Sequence, residues 1–135
     1  MIPMRKVSAA ALVAALVAVS AAQAATTATM VQGTKTDLLP VANLADMVGS
    51  WTQGDVNFLE KAKSVKVYDT KTLYPAADQS RISTAETSKM TQLGKFHDAI
   101  RADSSLKAWF DQNKIDINRV IAVADPNGQP EIFLY

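Results

Sequence analysis

The sequence has no cysteine and only one histidine, His97. The lack of cysteine excludes disulfides, thiolate metal sites and thiol catalysis, so a small domain of this kind has to be stabilised by burial or by association. With one histidine, a zinc site would need carboxylate or water for its remaining ligands, which is atypical. The sequence therefore predicts neither a metal centre nor a cofactor.

Catalytic and phosphate-binding motifs are also missing. The five glycines are scattered at positions 33, 49, 54, 94 and 128, without the spacing of a phosphate-binding loop. No G-x-S-x-G elbow and no calcium-loop pattern occurs. The formal net charge is only +1, which gives no electrostatic footprint for nucleic acid. These absences favour a non-enzymatic protein without a nucleic-acid partner.

The first residues have the pattern of a secretory signal peptide. Arg5 and Lys6 precede a run of small, mostly apolar residues at positions 7–19, and Ala22-Gln23-Ala24 offers an A-x-A cleavage pattern. The run is shorter than the ~20 apolar residues that a membrane-spanning helix needs. We therefore expect cleavage near Ala24 and export, most simply to the bacterial periplasm, with no membrane span in the mature chain.

The remaining chain has the size of one domain. Cleavage after Ala24 would leave 111 of the 135 residues and would lower the formal charge from +1 to −1 by removing Arg5 and Lys6. Residues 25–36 are rich in threonine and low in large apolar side chains, so we expect a flexible leader there. Residues 37–135 are then a single domain.

Residues 119–135 have the pattern of a β-hairpin. Asp125-Pro126-Asn127-Gly128 suits a turn in which Asn127 tolerates the bridge region and Gly128 takes the left-handed conformation. The flanking runs are rich in β-branched and aromatic residues, with apolar side chains on both faces. Val65 and Val67 alternate with polar neighbours in a further strand at residues 64–69. We expect a three-stranded, mostly antiparallel sheet.

Helices are expected to cover this sheet, which makes the predicted fold α+β. The longest is predicted at about residues 84–102, after an S-x-x-E capping box that begins at Ser83, with Gly94 permitting a close approach by the sheet. Its apolar stripe, at spacings of three and four, consists of Met90, Leu93, Phe96, His97 and Ile100. Residues 75–80 are predicted to be a loop. Shorter helices are predicted at about residues 37–49, at 56–63 with Asp55 as N-cap, and at 105–112 with Asp103-Ser104-Ser105 as cap and Asn113 as left-handed end.

The hairpin has apolar residues on both faces, and helices on one face alone would leave the other uncovered. Either the short N-terminal helices cross to the second face or a second subunit covers it. A homodimer is therefore an open alternative.

Three functions remain open, and no catalytic residue is assigned. The preferred one is an exported non-enzymatic binding or structural module for a protein or small ligand, with Trp109, Phe110 and Tyr135 as the interaction surface. The alternative is a small enzyme or accessory subunit whose site combines scattered acids with His97 and Arg101; a pocket joining His97 to two carboxylates would favour it. The third is a carrier of a small apolar ligand, which requires a closed cavity between the long helix and the sheet.

Overall fold

The part of the chain that the structure describes forms a mixed sheet of four strands. A computed structural model describes residues 28–135 of the chain. The strands are β1 (Thr29–Gln32), β2 (Ser64–Asp69), β3 (Val120–Ala124) and β4 (Glu131–Leu134). Their order in the sheet is β1-β2-β4-β3; β1, β2 and β4 run parallel, and β3 pairs antiparallel with β4. The α+β class is confirmed, whereas the expected three-stranded, mostly antiparallel arrangement is wrong.

The additional strand, β1, comes from the segment that was expected to be a flexible leader. It pairs in parallel with β2, and the indole Nε1 of Trp109 donates to the Ala28 carbonyl oxygen at 2.8 Å. Its sequence, Thr-Met-Val-Gln, is short and no residue in it is fully buried. Partners far along the chain, rather than a strong local pattern, therefore specify this strand. The predicted signal peptide and the start of the predicted leader lie outside the described residues.

Six α-helices within residues 28–135 surround the sheet. They are α1 (Val41–Met47), α2 (Gln53–Lys61), α3 (Thr70–Leu73), α4 (Ala76–Ser88), α5 (Met90–Ala102) and α6 (Ser104–Gln112). Short 3-10 turns occur at Lys35–Asp37, Ile117–Arg119 and Pro126–Gly128. Within residues 28–135, no helix combines the length and the hydropathy that crossing a membrane would require.

The predicted long helix is two helices, α4 and α5, separated at Lys89. Lys89 has φ −115° and ψ 20°, and its N–H is shared between the carbonyls of Ala85 and Glu86. α4 begins directly after Pro75, so the loop expected at 75–80 is mostly helical and Ser83 is not an N-cap. Pro75 fixes the start of α4 because proline is compatible with a first turn but not with a helix interior.

Smaller corrections concern helix ends and the hairpin turn. Thr52 caps α2 in a capping box with Asp55, which was expected to be the cap itself. Lys114 takes the left-handed conformation expected of Asn113, with φ 58°. In the hairpin turn Asn127 is left-handed, as is Gly128, with φ values of 54° and 80°. Turn and cap residues of similar chemistry can exchange these roles without changing the elements they join.

Helices of the same chain cover both faces of the sheet. Strand alternation directs Ile132 and Leu134 of β4 to a first cluster and Phe133 to a second. The first cluster receives side chains from α2, α5 and α6, and the second from α1, α4 and Leu93 of α5. Only α1 of the two N-terminal helices crosses to the second face. The hairpin is therefore buried without a second subunit.

α5 covers the edge of the sheet at β3. Its Leu93 belongs to the second cluster, whereas Phe96 and Ile100 belong to the first. The segment after α1 contributes as well, because the N–H of Gly49 donates to the carbonyl of Ile121 in β3 at 3.0 Å. A strand edge protected by a helix in this way is a poor template for pairing with another chain.

Candidate functional site

The single histidine, His97, is hydrogen-bonded to the edge strand β3. His97 Nε2 lies 2.7 Å from the Val120 carbonyl oxygen. A carbonyl only accepts, so Nε2 carries the proton and Nδ1 is the acceptor of the neutral ring. A general base is usually oriented by a hydrogen bond to a carboxylate. No carboxylate among residues 28–135 makes such a hydrogen bond to the His97 ring.

Arg101 does not join His97 in a site. Its guanidinium pairs with Asp98 Oδ1 at 3.4 Å, and Nη2 donates to the side-chain oxygen of Asn118. Both Arg101 and Asp98 are exposed. This arrangement is a surface contact of small energetic weight.

The aromatic patch proposed as an interaction surface is not formed. Trp109 and Phe110 are only 2% and 1% exposed, and their rings meet edge to face at 5.2 Å inside the first cluster. Tyr135 is half-buried, with the Lys71 ammonium 4.8 Å above its ring. The apolar face of α6 is turned to the sheet. Sequence alone cannot decide whether such a face meets the core or a partner.

An open groove of about 410 Å³ lies where α4 and α5 meet. Its lining residues are Glu86, Thr87, Met90, Leu93, Gly94 and His97, and we call it the Met90 groove. Met90 is 65% exposed and is the one large apolar side chain exposed among the described residues. A Cβ placed on Gly94 would meet no atom within 4 Å, so Gly94 borders open space and not the sheet, contrary to expectation.

Glu86 is the only acid in the lining of this groove. In the part of the chain that the structure describes, its carboxylate makes no ion pair. The groove thus combines one unpaired negative charge, one histidine and an exposed thioether. Sequence reasoning placed Met90 on the core stripe of a continuous helix and so missed it. The break at Lys89, which the sequence did not reveal, lies between Glu86 and Met90, the two ends of α4 and α5 that border the groove.

Apart from the Met90 groove, a group of polar side chains joins the Lys35–Asp37 turn to the second face of the sheet. The Tyr68 hydroxyl lies 3.4 Å from the Asp37 carbonyl oxygen and 3.5 Å from Glu131 Oε2, and Lys66 Nζ lies 3.4 Å from Asp37 Oδ2. Burial, with the Glu131 and Asp37 carboxylates adding to it, raises the pKa of Tyr68 from 10.0 to about 12. Burial also raises the pKa of Glu131, against the opposing effect of Lys66.

Tyr68 therefore remains a protonated hydrogen-bond donor at neutral pH and is a poor general base. Tyr74 behaves alike: burial raises its pKa to about 12, and its hydroxyl donates to the Leu39 carbonyl at 2.6 Å. Both tyrosines fasten the segment before α1 to the rest of the fold. This cluster accordingly has a structural role.

Residues 28–135 contain no group of three or more histidine, aspartate or glutamate side chains placed to hold a metal ion. Comparison with known proteins gives no match: no family model, curated protein or solved structure is significantly similar to this chain. Functional inference therefore depends on the geometry of the groove.

Proposed function

We propose that this chain is a small exported, non-enzymatic binding module that contacts its partner through the Met90 groove. The observation that carries the proposal is Met90 itself. It is exposed in a protein that buries the large apolar residues around it, and it stands beside an unpaired carboxylate in an open groove. Export is supported by the basic, apolar and A-x-A pattern of residues 5–24.

Methionine suits a contact surface for a physical reason. Its side chain is unbranched, with a polarizable thioether, and can adapt its shape to different apolar partners. Large exposed apolar groups are informative because burying them on a partner is favourable. Leu93 lies beneath Met90 as the buried floor of the same groove.

The catalytic alternative has weaker support in the geometry. The groove brings His97 together with one carboxylate, Glu86, and the ring's Nε2 proton is already donated to Val120. The apolar-carrier alternative calls for an enclosed cavity, whereas the Met90 groove is open and has polar walls. Binding through a surface groove fits both observations better.

The test compares partner capture by three tagged proteins in a bacterial periplasmic extract. They are the wild type, Met90→Glu and the control Gln112→Glu, which adds the same negative charge on an exposed position of α6. Mass spectrometry quantifies the co-purifying species. We expect species captured by the wild type and by Gln112→Glu to be lost with Met90→Glu. Equal capture by all three proteins, or no enrichment by the wild type, contradicts the proposal.

A further inference from the structure

We infer that the Met90 groove binds a segment of a partner protein in which a lysine or arginine stands next to a large apolar residue. This inference rests on the proposed function and names the partner chemistry of the same groove. It follows from three properties of the lining: its hydrogen-bonding groups, its charge and its apolar surface.

The polar groups of the groove are mainly hydrogen-bond acceptors. The Glu86 carboxylate only accepts, and His97, whose Nε2 proton is donated to Val120, has an accepting Nδ1 in its neutral form. Thr87 can donate or accept. A well-matched ligand must therefore supply donors, as an ammonium or guanidinium group does.

The formal charge of the lining is negative and comes from Glu86. The nearest lysine along the chain, Lys89, makes no ion pair with Glu86 in the structure of residues 28–135. The C-terminal end of α4 and the N-terminal end of α5 meet here, so the partial negative charge of the first and the partial positive charge of the second offset one another. The unpaired carboxylate therefore favours a cation.

The apolar part of the groove requires more than a bare cation. Met90 and Leu93 form an apolar wall and floor beside Glu86, and a cation with an adjacent apolar side chain would engage both. A groove of about 410 Å³ lies in the lower part of the ~300–1,000 Å³ range of ligand sites. This volume suits one or two side chains of a peptide segment.

The test is a titration of the 15N-labelled protein with three acetylated, amidated tetrapeptides followed by NMR. The peptides share a glycine–leucine start and a glycine end, and they differ only in a third residue that is lysine, glutamine or glutamate. We expect the lysine peptide to shift the amide signals of Thr87 and Gly94 and to bind at least about fivefold more tightly than the glutamine peptide, because a charge-assisted hydrogen bond adds to the apolar contact. The glutamate peptide should bind most weakly.

Glu86→Gln keeps the shape of the groove and removes its charge. We expect this variant to lose the preference for lysine, whereas the control Asp111→Asn, an exposed acid on α6, should keep it. Equal binding of all three peptides at the groove would overturn the inference and leave the proposed function standing. A lysine preference that survives in Glu86→Gln also overturns it. If no peptide shifts Thr87 or Gly94, both the inference and the role of the groove are contradicted.

Discussion

Tyr68 shows how one side chain fixes two distant segments. Its ring stacks on Phe133 with centroids 4.8 Å apart and an interplanar angle of 8°. It also lies directly against Gly33, where a Cβ would fall 2.3 Å from Tyr68 Cδ1. The ring is buried and held by Phe133, so it cannot move aside at low cost. Glycine at position 33 is therefore required by close packing.

Two glycine-to-alanine substitutions should have opposite effects on stability. Gly33→Ala forces a methyl group into the Tyr68 ring and should cost about 1–3 kcal/mol through overpacking. Gly94→Ala adds a methyl group to an open position inside α5 and should stabilise by roughly 0.5–1 kcal/mol. Urea unfolding of both variants measures the difference. A Gly33→Ala protein as stable as the wild type would show that the chain does not approach Tyr68 so closely.

Glu131 should make stability depend on pH. Burial raises its pKa above the ordinary 4.5, so the folded state binds the proton more tightly than the unfolded state. The free energy of unfolding should therefore fall as pH rises from below 4.5 through the pKa of Glu131 in the folded state. At pH values above that pKa the loss of stability should be complete and constant. Glu131→Gln removes this titration. Urea unfolding at several pH values should show the variant gaining stability relative to the wild type as pH rises; a constant difference would contradict the assignment.

At the scale of the elements, α5 is defined by what it covers. It lies against the edge strand β3, and His97 and Gly49 satisfy the carbonyls of Val120 and Ile121 there. The sequence showed the apolar stripe of Leu93, Phe96 and Ile100 but gave no sign that Leu93 faces one cluster and Phe96 the other. A stripe identifies a buried face without saying what it meets.

His97 should matter for stability through its bond to Val120. His97→Ala leaves the Val120 carbonyl without that donor and should lower the free energy of unfolding by about 1–3 kcal/mol. His97→Gln can place an amide donor near the position of Nε2, so it should recover part of this loss. Urea unfolding measures both variants. If His97→Ala is as stable as the wild type, the histidine is not an anchor of α5 and a functional role for it must be reconsidered.

The sequence predicted correctly those features that depend on residues close together in the chain. The strand at Ser64–Asp69 has the predicted bounds, and Asp103 caps α6 as expected, accepting from Ser105 and Leu106 N–H groups at 3.1 Å. By contrast, β1 depends on Trp109 and on β2, both distant in sequence. The helix break at Lys89, next to the Met90 groove, also differs from the predicted continuous helix. Non-local pairing and tertiary contact override weak local patterns in both cases.

For the whole molecule, the covered sheet bears on oligomeric state. The open alternative of a homodimer was motivated by apolar residues on both faces of the hairpin. Since α1 and α4 cover the second face, burial of Ile121 and Phe133 is complete within one chain. We therefore expect a monomer in sedimentation velocity at high micromolar concentration. A concentration-dependent dimer would indicate that the chain associates through a surface other than the hairpin. Residues of the Met90 groove would then be the first to mutate.

The most direct test of a sheet enclosed by its own helices on two faces is urea unfolding of Ile82→Ala and Ile100→Ala. Ile82 of α4 and Ile100 of α5 are both 0% exposed, in the second and first cluster respectively. Each substitution leaves a cavity in its own cluster, and we expect each to lower the free energy of unfolding by about 2–5 kcal/mol. If Ile82→Ala proves as stable as the wild type while Ile100→Ala does not, the second face is not covered by α4. The architecture that creates the Met90 groove would then be wrong.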